Sequence, residues 1–134
     1  MRQHDFGQIY AGLLAGTGLH RGDAADALTS YTMLGWMIAN GQMATPPANQ
    51  IAAARAEVAR TVSTNPALAT EAARAKLGEE VAILFVLLHA GWQSAQKEGK
   101  LSTYANGVAT MFSRQFGQDL RAMDLTDRGF VKRG

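Results

Sequence analysis

The sequence predicts an all-α fold: a single-domain bundle of four main helices around a buried central helix at about residues 79–98. Three observations predict it. The stretch Val81-Ala82-Ile83-Leu84-Phe85-Val86-Leu87-Leu88-His89-Ala90-Gly91-Trp92 is almost continuously apolar. Lys76, Glu79 and Glu80 precede it, and Gln93, Ser94 and Lys97 follow it. A helix that is apolar on nearly every face has to be surrounded by protein. Elsewhere the apolar positions recur at intervals of three and four, the period of a helix rather than of a strand. Alanine is abundant and aromatics make up only 7% of the chain, a balance that favours helices over a sheet.

Residues 1–22 form a Gly-rich N-terminal segment in which Phe6 to Ala15 has the pattern of a short helix. The first main helix starts at Asp23, an N-cap residue type, with Asp26 as a second carboxylate in its first turn. Ala27, Leu28, Tyr31, Leu34 and Ile38 follow at helical spacing, and Asn40-Gly41 is a stop signal. Thr45-Pro46-Pro47 opens the second helix, with Thr45 as cap and Pro46 at the first helical position. Its apolar stripe is Ile51, Ala54, Val58 and Val62, and Arg55, Glu57 and Arg60 are expected in solvent. Asn65-Pro66 ends that helix and starts the third, which runs to Glu98 with a kink or break expected near Lys76–Gly78. Gly78 costs about 1 kcal/mol relative to Ala in a helix. Gly99 closes this helix. Leu101-Ser102 starts the fourth, whose apolar face is Leu101, Tyr104, Ala105, Val108, Phe112, Phe116 and Leu120. The helical core thus spans 23–120, and residues 121–134 read as a tail anchored by Met123, Leu125 and Phe130.

The 134 residues suit one domain of ordinary size. The net charge is only +2, and basic and acidic residues are interspersed. A nucleic-acid binder concentrates Lys and Arg on one face, so no nucleic-acid partner is expected. The chain has no cysteine, which excludes a disulfide framework and thiolate chemistry. The apolar run is well short of the roughly 20 residues of a membrane span, so none is expected. Residues 1–20 match a secretory signal poorly, because His4, Asp5 and three glycines interrupt the apolar part.

No catalytic, metal-ligating or cofactor-binding constellation emerges. His89 lies inside the apolar run, where burial disfavours its charged form. It reads either as a neutral core histidine or as a general base, and no nucleophile or carboxylate accompanies it locally. Glu79 and Glu80 point about 100° apart on a helix and do not form a paired-carboxylate site. Asp119, Asp124 and Asp127 lack the alternating spacing of a calcium loop, and salt bridges and capping account for them. Gly16-Thr17-Gly18 lacks the third glycine and preceding strand of a dinucleotide site. Arg21-Gly22-Asp23 is too short to argue adhesion. The remaining pointer is apolar excess: Met33, Trp36, Met37 and Met43 extend the first helix beyond a single core face. Such a surface suggests a protein partner, either a different chain or a second copy of this one.

Two passages carry a family resemblance: Asp26-Ala27-Leu28-Thr29-Ser30-Tyr31, continuing to Trp36 and Ala39-Asn40-Gly41, and Phe116-Gly117-Gln118-Asp119-Leu120 with Leu125-Thr126-Asp127-Arg128-Gly129-Phe130. Together they resemble an uncharacterised family of small bacterial all-helical domains of unknown function. The resemblance implies a bacterial source, an all-helical domain and an envelope location, and contributes no catalytic residues; the chain departs from it in lacking a convincing signal peptide, so the compartment, cytoplasm or periplasm, stays open. The functional expectation is a non-enzymatic protein acting through protein–protein interaction, in concrete form an immunity- or inhibitor-type protein that occludes a toxin or enzyme. One alternative is a small-ligand pocket lined by Tyr31, Trp36, His89 and Trp92. Another is a small hydrolase that uses His89.

Overall fold

The computed structural model describes residues 12–14, 17, 19 and 23–133. From residue 23 onward it is a bundle of four α-helices: α1 (Ala24–Asn40), α2 (Ala48–Thr64), α3 (Glu71–Glu98) and α4 (Leu101–Phe116). A two-stranded antiparallel hairpin, β1 (Met123–Thr126) and β2 (Gly129–Lys132), follows α4. The expected N-terminal helix at Phe6–Ala15 lies mostly outside the described residues, as do Gly16, Gly18, Arg21 and Gly22. Leu14 and Leu19 belong to the core.

α1 begins and ends where its caps require. The Asp23 side chain accepts from the Asp26 amide, and Gly41 adopts the left-handed conformation that closes the helix. α1 is the centre of the bundle: fifteen of its seventeen residues are buried. This corrects the expectation that residues 79–98 would be central. In α3 only Gly78, Val81, Phe85, Val86, Leu88 and Ala95 are buried. The difference lies in side-chain size. Ala24, Ala25, Ala27, Thr29, Ser30 and Gly35 keep α1 slim, so neighbours approach it from every side. The buried hydroxyls of Thr29 and Ser30 donate back to the carbonyls of Ala25 and Ala27 at 2.6 and 2.8 Å, so α1 carries them without needing water.

Three other boundaries differ from expectation. α2 starts at Ala48 after Pro47 and has no side-chain cap, so Thr45 is not its N-cap. Asn65-Pro66 forms a separate 3-10 turn, Pro66–Leu68, and Thr70 caps α3 by accepting from the Ala73 amide. α3 runs unbroken through Gly78, which faces the Asp23–Ala24 backbone. α4 ends at Phe116 with Gly117 in the left-handed conformation, and Leu120 sits in a 3-10 turn instead, fully enclosed.

Residues 121–133 are not a tail. Thr126 accepts from the Arg128 amide and donates to the Gly129 carbonyl, which shapes the Asp127-Arg128 turn. Gly129 takes φ +93°, and Glu57 of α2 accepts from the Phe130 amide at 2.9 Å. Trp36 of α1 donates to the Met123 carbonyl at 2.7 Å and stacks edge-on against Phe130. Arg121 donates to the Ala39 carbonyl at 2.9 Å, where a cation complements the C-terminal end of the α1 dipole. Asp124 is bridged by Arg133 at 2.8 Å, and Asp127 accepts from Asn49.

Candidate functional site

The surface feature with most chemical content is the outward side of α3. Ile83 and Leu84 are each 42% exposed and Leu87 is 54% exposed. At about 100° per residue these positions share one stripe with Lys76, Glu80, Ala90, Gly91, Ser94 and Glu98, roughly 33 Å long. All of them are exposed except Gly91, which is half-buried. The middle of the stripe is apolar and its ends carry charge. Glu79 and Lys97 flank it on one edge, both in solvent. Exposed polar residues on the same stripe explain why an apolar run can sit at the surface.

On the other edge lies a groove between α3 and α4 of about 460 Å³. Leu88, Gly91, Ser94 and Ala95 form one wall, and Tyr104, Gly107, Val108 and Met111 the other. The Tyr104 hydroxyl donates to the Leu88 carbonyl at 2.9 Å. Gly91 makes this approach feasible, because a Cβ there would collide with the Tyr104 hydroxyl. Burial pushes the Tyr104 phenol upward in pKa, so it stays a neutral donor.

A second cleft, also about 460 Å³, opens where α1, α2 and the start of α3 meet. Asp23, Arg55, Glu71 and Arg74 line it. Arg55, expected in solvent, instead donates to buried Asp26 at 2.6 Å and lies 3.4 Å from Asp23. The hydrogen bond to Asp26 raises the Arg55 pKa further. Arg74 donates to the Leu68 carbonyl at 2.9 Å. Arg55 thus ties α2 to the start of α1, and Arg74 ties α3 to the 3-10 turn before it.

The residues singled out from sequence are dispersed. Met33, Trp36 and Met37 are core side chains, 5%, 7% and 6% exposed, so they form no docking patch. Met43 alone is open, at 56%. Their burial follows from the central position of α1. Tyr31 packs on Phe112 and Phe116, and its hydroxyl points to the Met111 sulfur at 3.9 Å. Burial raises the Tyr31 pKa, helped by Tyr104. Trp36 faces the hairpin. His89 and Trp92 meet each other edge-to-face, with ring centroids 6.0 Å apart. None of the three best-formed clefts among the described residues brings two of these four together.

His89 is half-buried, and burial lowers its pKa. Among the described residues no carboxylate or hydroxyl hydrogen-bonds its imidazole, and no three His, Asp or Glu side chains are grouped to hold a metal ion. No helix among these residues is long and apolar enough to cross a membrane. Sequence reasoning missed the exposed face because it treated residues 81–92 as one greasy unit. The available signal was Lys76, Glu80 and Glu98 falling on the same helical stripe as Ile83, Leu84 and Leu87. No family model, curated protein or solved structure matches this chain.

Proposed function

We propose that this chain is a non-enzymatic protein-interaction domain and that its contact element is the outward face of α3. The observation that carries the reading is the exposed row Ile83, Leu84 and Leu87. Contiguous apolar surface with a polar margin is the mark of a protein contact, and these side chains project from a rigid 28-residue helix. The adjoining groove shares Gly91 and Ser94 with this face and extends it toward α4. An immunity- or inhibitor-type role is one form such a domain takes: a rigid face that covers the working surface of another protein. The Met33, Trp36 and Met37 cluster supports the scaffold rather than the contact.

The test is photo-crosslinking in cells of the source organism, with a photoreactive amino acid at position 87 and a control at exposed Gln93 on another side of α3. A protein adduct specific to position 87 is expected. Equal or absent crosslinking at both positions would sink the proposal.

A further inference from the structure

We infer that the outward face of α3 is built to receive a second copy of itself, in an antiparallel pair whose two-fold axis passes at Leu87. The inference rests on the reading of α3 as a contact face and names its occupant. It is carried by the self-complementarity of the stripe in size and in charge.

The bulky residues of the stripe lie on one side of Leu87 and the small ones on the other. Ile83 and Leu84 precede it; Ala90 and Gly91 follow it. An antiparallel pair centred on Leu87 lays Leu84 of one copy over Gly91 of the other, and Ile83 over Ala90. Large side chains then fill the space above small ones, as knobs enter holes in paired helices. Leu84 also reaches the mouth of the α3–α4 groove beside Gly91. A parallel pair sets Ile83 and Leu84 against themselves and leaves the small positions facing each other across a gap.

The charges follow the same rule. Glu79 and Lys97 lie on the same edge of the stripe, at opposite ends. The antiparallel register brings Glu79 of each copy to Lys97 of the other. It also sets Lys76 opposite Glu98, whose carboxylate lies 4.0 Å from exposed Lys100. Glu80 faces Ser94, an uncharged residue. Each pair occurs twice by symmetry, because an isologous interface repeats every contact. A parallel arrangement sets Lys76 against Lys76 and Glu98 against Glu98, and carries Glu79 and Lys97 to opposite edges of the seam, away from any partner.

The chain has no cysteine, so an introduced thiol is a clean probe. Leu87→Cys, oxidised with copper phenanthroline, should give a disulfide-linked dimer, since position 87 meets its own copy at the axis. Met43→Cys, exposed but off the stripe, should not. Sedimentation should show the native chain moving from 14.3 kDa to twice that mass as concentration rises. Leu87→Lys should hold it at the monomer mass, with the melting curve of the native chain at a dilution where that too is monomeric. Lys97→Glu should weaken association about tenfold at low salt, since it reverses both symmetry-related pairs at once. Glu79→Lys combined with Lys97→Glu should restore it.

A native chain that stays monomeric to about 0.5 mM, beyond the range of a useful weak dimer, would overturn the inference. So would a dimer indifferent to Leu87→Lys, or a charge swap that fails to rescue. If the native chain is monomeric while crosslinking at position 87 captures a different protein, the occupant is wrong and the contact face stands. If neither occurs, both fail.

Discussion

Gly35 shows how tightly α1 is held. A Cβ built there lies 2.6 Å from two ring carbons of Phe112 and 3.2 Å from Leu120. Both neighbours are almost completely enclosed, so neither can retreat. Gly→Ala in a helix otherwise stabilises by about 1 kcal/mol, but overpacking a core costs about 1–3 kcal/mol, and the clash should win. Gly35→Ala is expected to lower the melting temperature, whereas Gly107→Ala, with open space around its Cβ, is expected to raise it slightly. Thermal melts of the two variants decide this, and a rise in both would refute the packing described.

His89 supplies a pH test at the same scale. Its folded pKa is depressed by burial, so below about pH 6.5 the unfolded chain takes up the proton more readily. The contribution of His89 to stability is present above that pH and declines as pH falls toward its folded pKa. Melting temperature should therefore drop more between pH 7.5 and 5 in the native chain than in His89→Phe. Identical slopes would show that the imidazole is freely solvated.

At the scale of elements, the segment after α4 has more structural weight than its length suggests. It supplies fully enclosed Leu120, buried Leu125, the Phe130 ring on Trp36 and the arginine cap on α1. Losing a buried leucine alone costs about 2–5 kcal/mol, against a total stability of about 5–15 kcal/mol. A chain truncated after Gln118 is expected to lose its cooperative melt. If circular dichroism shows an unchanged transition, the hairpin is an accessory instead. The sequence signalled this segment only as apolar anchors, because Met123, Leu125 and Phe130 are legible while the strand pairing between them depends on the Asp127-Arg128 turn and on Glu57, far away in sequence. The ends of α1 and the end of α3 were legible, since Asp23, Gly41 and Gly99 act locally. The start of α2 was not: Thr45 precedes two prolines, and the chain does not turn helical until both have passed.

For the whole molecule, helix number and fold class could be read from spacing, but which helix lies at the centre could not. α1 and residues 81–92 are both apolar, and periodicity does not say which is surrounded. The deciding property is that α1 has no charged side chain after Asp26 and many small ones; it has no face fit for water. The candidate site was hidden for the same reason, since an exposed apolar row on α3 makes sense only once α1 occupies the middle. That central position also bears on biosynthesis. α1 leaves the ribosome ahead of the residues that cover its far end, Leu120 and the hairpin, which follow about 80 residues later. At roughly 5–20 residues per second, the nascent chain therefore carries its most buried helix incompletely wrapped for about 4–16 s.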